Sequence, residues 1–337
     1  MKMSAHTSWS AVDAVPTDLL TVTDLISNDL ESLISQALEM KKAPENWSNA
    51  LTGKSAVLLF EKPSLRTRVS FEIGMAKLGG HAMYLDHNSV KIGERETIED
   101  YGANLSQWSD VIVARTFSHD TVTKLADAAT VPVINALTDL YHPCQALADY
   151  MTMLEIFGSL DGLKLAYVGD GNNVCHSLLL AGAMLGVSVT AICPPGHTPD
   201  GAVVQQAHML AAQHGVTNLV TSDLDAIEGH DVVYTDKWVS MGDGMTIDEV
   251  AATFSPYKIT PEIMNTASHG ALFMHCLPAA RGHEVDAAVI DGANSIVLVQ
   301  ACNRMHAQNA LLHALLTTPA AASITTHRGV MPKATVA

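Results

Sequence analysis

Residues 60–72, Phe-Glu-Lys-Pro-Ser-Leu-Arg-Thr-Arg-Val-Ser-Phe-Glu, gather hydroxyl and basic side chains around a single change of local structure. The preceding run Ser55–Phe60 is apolar and reads as a buried parallel strand. Pro63 and Ser64 break it and open an amphipathic helix. A helix N-terminus presents unpaired N–H groups and a partial positive charge, which suits an anion. Ser64 and Thr67 add hydroxyl donors, and Arg66 adds a planar fork that grips phosphate oxygens bidentately. With Lys62 and Arg68 alongside, the stretch reads as a phosphate cradle; a capped helix start with surface arginines is the plainer alternative.

Other residues of chemical promise recur along the chain. His142-Pro143-Cys144-Gln145 opens a helix that runs through Asp149. Pro143 suits a first turn, so His142 stands at the helix mouth. A neutral imidazole there can donate a hydrogen bond to a carbonyl oxygen as it gains charge. Arg115 ends the apolar run Val111–Ala114, and charged residues at carboxyl ends of parallel strands face the ligand crevice. Gly169-Asp170-Gly171-Asn172-Asn173-Val174 lies between strand and helix, where the fingerprint of an NAD-dependent dehydrogenase would stand. Val174 occupies the third glycine position and the next strand runs into Cys193-Pro194-Pro195 without an acid, so that fingerprint is incomplete.

Downstream, Asp236 is followed by Ser240, Met241 and Gly242, a set that could hold a zwitterion: Asp236 the ammonium, Ser240 and backbone the carboxylate. Asp and Gly in such places are also ordinary turn formers. His275-Cys276-Leu277-Pro278 closes a strand, where a free cysteine is by default a small core residue. Arg304 lies in the opening turns of the last helix.

Together, in this order, the motifs resemble those of the aspartate and ornithine carbamoyltransferases, with Asp236-x-x-x-Ser240-Met241-Gly242 and His275-Cys276-Leu277-Pro278 resembling the ornithine-specific members. The resemblance implies transfer of a carbamoyl group from carbamoyl phosphate to the δ-amine of L-ornithine, giving citrulline and phosphate, with no cofactor and no metal. It implies carbamoyl-phosphate contacts from Ser64, Leu65, Arg66, Thr67, Lys91, Arg115, His142, Gln145, Cys276, Leu277 and Arg304. It implies ornithine contacts from Asn173, Asp236, Ser240 and Met241, and gives the catalytic roles to Arg115, His142, Asp236 and Cys276. The 240–242 loop would be a lid, hinged at Gly242 and Gly244. A carbamoyltransferase for acetylornithine or putrescine is the nearest alternative; an aspartate enzyme would lack the last two motifs. The family forms trimers with sites at subunit interfaces, so a homotrimer or a multiple of trimers is implied, with the Lys91 loop reaching a neighbour's site. Leu65 stands where many members carry Thr, Lys91 where many carry Gln, Cys302 in place of a usual Glu, and Ala280 in place of a polar or aromatic residue.

Composition narrows the partners independently. A formal net charge of −16 argues against nucleic acid or an anionic membrane surface, both of which call for basic stripes. Five scattered cysteines with no C-x-x-C pair fit a reducing cytosol and no structural zinc. No apolar run reaches the roughly 18 residues of a membrane span, and residues 1–20 hold neither a secretory nor an arginine-rich transit pattern. A cytoplasmic protein is expected.

The elements that must position these groups follow from periodicity. Apolar spacing predicts a helix over Leu19–Lys41, then strands at 56–60, 81–85, 111–114 and 131–135 separated by helical patterns at 69–78, 98–108 and 122–129. Strand–helix alternation gives an α/β fold with parallel sheets. A helix from Pro143 to Phe157, ended by Gly158, bridges to a second series with strands at 164–168, 187–193, 218–221, 232–235, 271–275 and 296–299. With 337 residues, two domains are expected. Each is a mainly parallel sheet flanked by helices, and the interdomain helix and the C-terminal helix join them. The expected bounds are 1–148 for the carbamoyl-phosphate domain, 149–302 for the ornithine domain, a helix at 303–318 packing back on the first, and a disordered tail at 319–337.

Overall fold

The computed structural model describes residues 18–87, 91–239 and 246–317. Leu19 bridges to Ile134, and a 3-10 turn at Val22–Asp24 precedes helix α1 (Ser27–Lys42). The single helix expected from Leu19 is thus divided. Asp24 Oδ2 accepts from the backbone N–H groups of Leu20 and Thr21 at 2.6 and 2.9 Å, which closes a turn that competes with the helix.

Alternation then builds the first sheet: β1 (Ser55–Phe60), α2 (Leu65–Lys77), β2 (His81–Asp86), α3 (Ile98–Leu105), β3 (Val111–Arg115), α4 (His119–Ala128) and β4 (Val133–Leu137). All strands are parallel, in the order β2-β1-β3-β4. Parallel pairing needs crossover helices, which cover the faces and explain why β1 and β3 are apolar almost throughout.

Helix α5 (Pro143–Phe157) crosses to the second half, and its side chains from Pro143 to Met153 are all buried. Gly158 ends it in the left-handed region at φ 79°. The second half runs β5 (Lys164–Val168), α6 (Asn173–Met184), β6 (Ser188–Ile192), α7 (Gly201–His214), β7 (Asn218–Thr221), β8 (Val232–Thr235), α8 (Ile247–Phe254), α9 (Pro261–Thr266), β9 (Leu272–His275), α10 (Ala287–Ile290) and α11 (Val297–Thr317). Its strands are parallel in the order β7-β6-β5-β8-β9. Of residues 296–299, expected as a strand, 297–299 instead open α11; Ser295 makes only an isolated bridge to Phe273. A four-residue apolar run carries no period, so buried helix and buried strand read alike.

Helix α11 packs on α1, α2 and α5, returning the chain to the first sheet. One hydrophobic cluster joins the halves through Phe60, Phe71, Met151, Leu178, Tyr234 and Leu311. Register sets the site. Phe60 pairs with Arg115, Val168 with Thr235, and Thr235 with His275, so the loops after these strands emerge side by side. The crevice lies where the carboxyl ends of both sheets meet.

Candidate active site

At the first sheet the chain turns after Phe60 and Ser64 caps α2. Its Oγ accepts from Thr67 N at 3.3 Å and donates to Thr67 Oγ1 at 2.9 Å. Lys62, Ser64, Leu65, Arg66 and Thr67 all line a cleft of about 240 Å³. Arg68 does not. It stands two residues from Arg66, hence on the far side of the helix. Its guanidinium lies 3.9 Å over the Tyr84 ring and its Nε is 3.1 Å from Glu72 Oε1.

Arg115, His142, Gln145 and Arg304 close the cleft floor. All are buried, and Arg115 Nε, His142 Nδ1, Arg304 Nε and Arg304 Nη2 have no hydrogen-bond partner within the described residues. Unpaired buried donors of this kind are rare and mark a place where an acceptor is wanted. Burial, together with Arg304 and Arg66 nearby, pulls the Arg115 guanidinium down to about 10. Burial, with Arg304 and Arg115 beside it, holds the His142 imidazole well below its ordinary range, so the ring is neutral. Arg304 Nη1 donates to Gln145 Oε1.

Across the cleft, strand ends of the second sheet supply a carboxylate and a thiol. Cys276 Sγ donates to Asp236 Oδ1 at 2.9 Å, Lys237 N donates to the same oxygen at 2.7 Å, and Asn172 Nδ2 donates to Oδ2 at 3.0 Å. Burial and the Asp236 carboxylate push the Cys276 thiol well above its ordinary range. Leu277 takes a left-handed φ of 57°, and its N–H donates to His275 Nδ1 at 2.8 Å. Asp236, His275 and Cys276 bring one ligand atom each to within 4.8 Å of one another. Both nitrogens of the His275 ring are engaged, however, Nε2 standing 3.2 Å from Glu284 Oε1, so the ring lacks a free lone pair for a cation.

Asn173 lines the cleft and its Nδ2 donates to the Thr138 carbonyl of the first half. The glycine loop before it is filled by its own chain. Gly171 N donates to His197 O at 2.8 Å, and a Cβ at Gly171 would lie 2.2 Å from Pro199 N. Where a dinucleotide would need open backbone, this loop is occupied.

Of the residues singled out in the sequence, Lys91 is not brought to the cleft of this chain; its ammonium stands 5.6 Å from the Phe117 ring centre. Ser240 and Met241, with Gly242 and Gly244, lie outside the described residues, as do residues 1–17 and 318–337. Residues 303–317 of the expected C-terminal helix are helical, within an α11 that begins six residues earlier, at Val297. Sequence reasoning missed Asn172, which anchors Asp236, and Lys237 and Val239, which line the cleft wall. It also passed over Glu61. This buried carboxylate accepts from Ile92 N and Phe117 N, both at 2.9 Å, tying the 91–92 segment to the end of β3. A lone acid at the end of an apolar strand was the available signal.

Residues 17–155 match the sequence model of the aspartate/ornithine carbamoyltransferase carbamoyl-P binding domain, and residues 161–315 that of the Asp/Orn binding domain. A relative from Shewanella oneidensis named ornithine carbamoyltransferase is 55% identical over 294 residues, 87% of this chain and 97% of its own length. One from Vibrio sp. with the same name is 51% identical over 300 residues, 89% of this chain and 99% of its own. The solved structure titled ornithine carbamoyltransferase from Pyrococcus furiosus aligns with a TM-score of 0.87 at 43% identity, over 91% of this chain and 98% of that one.

Proposed function

The chain belongs to the aspartate/ornithine carbamoyltransferase family, and on that footing we propose that it is an ornithine carbamoyltransferase. The δ-amine nitrogen of L-ornithine forms a bond to the carbonyl carbon of carbamoyl phosphate. The carbon–oxygen bond to phosphate breaks, inorganic phosphate leaves, and the amine gives up a proton as citrulline forms. The observation that carries this reading is one cleft with Arg66, Arg115 and Arg304 along one side and the Asp236–Cys276 pair on the other.

In this mechanism Ser64, Arg66, Thr67 and the N–H of Leu65 hold the phosphate and offset its charge. Arg115, neutral His142 and Thr67 stabilise the oxyanion of the tetrahedral intermediate. Gln145 holds the carbamoyl nitrogen, Leu277 joins the carbamoyl-phosphate contacts from the cleft wall, and Arg304 completes the anion site. Asp236 and Cys276 orient the δ-amine and Asn173 meets the α-amino-acid end; Ser240 and Met241, outside the described residues, keep the ornithine-binding role that the family resemblance gives them. Crowding the half-buried Arg66 against the buried Arg115 and Arg304 is unfavourable without a dianion, so carbamoyl phosphate binds first. The remaining catalysis is positioning between closing domains.

A homotrimer fits the apolar stripe Leu65, Val69 and Ile73, which α2 leaves exposed. In it Lys91 would serve a neighbour's cleft. Unpaired cysteines fit the cytoplasm, and among the described residues no helix is long and apolar enough to cross a membrane. Arginine synthesis is the proposed physiological direction. The deciding experiment incubates the enzyme with carbamoyl phosphate and L-ornithine, acetylornithine, putrescine or aspartate in parallel and measures carbamoylated product. Activity with ornithine alone is expected; activity only with another amine overturns the assignment of Asp236 and the 240–242 loop.

A further inference from the structure

Asp149 is fully buried in the fourth residue after Gln145 on α5, and the reaction as derived gives it no task. Its Oδ1 accepts from Gln145 Nε2 and from Gln300 Nε2, each at 2.7 Å, and its Oδ2 accepts from Tyr234 OH at 3.2 Å. Gln300 in turn accepts from His275 N at 3.0 Å and donates to Tyr234 OH at 3.1 Å. One carboxyl therefore meets α5, β8 and α11 at once, directly behind the cleft.

We propose that Asp149 is a positioning residue that fixes which end of the Gln145 amide faces the substrate. An amide has one donor end and one acceptor end, and the two have nearly the same shape. The Asp149 oxygen accepts only, so Gln145 must turn its NH2 inward. Its Oε1 is thereby aimed into the cleft, where it accepts from Arg304 Nη1 and has a second lone pair for the N–H of a carbamoyl group. A flipped amide would present N–H to Arg304 and to the carbamoyl nitrogen, donor against donor. The charged and titratable groups that face Asp149 are Arg304 from α11, Tyr234 from β8, Cys276 after β9 and Tyr150 beside it on α5. Burial pushes Asp149 up to about 7, yet a proton on Oδ2 leaves Oδ1 an acceptor, so the orientation holds in both states.

The inference rests on the carbamoyl-phosphate reading of the cleft, and the test keeps the two apart. If wild-type enzyme neither binds carbamoyl phosphate in calorimetry nor forms product, the reading of the cleft fails first. With wild type active, kcat/KM for carbamoyl phosphate is measured for Asp149→Leu and Asp149→Asn, each with Gln145 intact and with Gln145→Ala. Leu removes the acceptor, and a loss of about a hundredfold is expected, the scale of an unpartnered buried polar group. Asn can still offer an oxygen, and a three- to tenfold loss is expected. In the Gln145→Ala background the Leu change should cost less than about threefold more, because Asp149 acts through Gln145. An undiminished loss in that background overturns the proposal. Should Asp149→Leu not fold, Gln145→Glu replaces it. That change sets oxygen against oxygen and should be relieved at least tenfold by adding Asp149→Asn, with Gln300 keeping Tyr234 OH as acceptor; no relief overturns the proposal.

Discussion

Cys276 Sγ donates to Asp236 Oδ1 at 2.9 Å across two adjacent parallel strand ends, so the thiol and the carboxylate act as one unit. The carboxylate keeps the proton on sulfur, and the sulfur fixes the rotamer of the carboxylate.

That coupling makes the thiol a poor nucleophile, because the thiolate is the reactive form. Brief treatment with iodoacetamide at pH 8 should label Cys302, which is exposed, and leave Cys144, Cys175, Cys193 and Cys276 intact. Peptide mass spectrometry reads the pattern. Preferential labelling of Cys276 would show that the Asp236 contact does not hold in solution. Cys276→Ala should raise KM for ornithine about tenfold, the weight of one hydrogen bond to a charged group.

The unpaired donors of Arg115 and Arg304 should make the fold responsive to phosphate. A ligand at 100 times its Kd stabilises the native state by about 2.7 kcal/mol. Thermal denaturation with inorganic phosphate or carbamoyl phosphate should therefore shift upward by several degrees. Arg115→Met should abolish most of that shift; an unchanged shift would place the anion elsewhere.

His142 is neutral through the working range because burial and two guanidinium groups hold its imidazole well below 6.5. It should add no ionisation to the rate profile between about pH 6 and 9, where the ornithine amine alone gives rising activity. His142→Gln should lower kcat by about 10²–10³ with the shape of the profile kept. Linkage sets the stability sign. Below pH 6.5 the unfolded imidazole binds a proton that the folded one refuses, so this residue lowers stability as pH falls through 6.5. His142→Gln should flatten that part of the acid limb in urea titrations.

Glu61 accepts from both Ile92 N and Phe117 N, one through each carboxylate oxygen. Glu61→Ala leaves the buried Ile92 N–H unpaired, at about 1–3 kcal/mol, and takes the acceptor from the part-buried Phe117 N–H, which water can reach. A matching fall in the urea midpoint is expected, along with faster hydrogen exchange at Ile92. Stability within about 0.5 kcal/mol of wild type, the range of ordinary surface changes, would show that water replaces the carboxylate.

The sequence by itself determined the chemistry and its order. Pro63-Ser64 before Arg66 specifies a capped helix start of a kind suited to an anion, and alternation specifies parallel sheets with the cleft at their carboxyl ends, because both are local consequences of residue type and period. Helix ends and short apolar runs were harder. Leu19–Asp24 turned on a side-chain bond from Asp24, and residues 296–299 were too short to show a period. Tertiary structure alone decided which cations share the cleft. Arg66, Arg115 and Arg304 meet there through strand register and the return of α11, whereas Arg68 turns out to Tyr84 and Lys91 to Phe117. It alone joined Asn172 to Asp236 and Gln145 to Asp149 and Gln300. A side chain's type fixes what bonds it can make, but its partners come from elements far apart in the chain, and only packing brings those together.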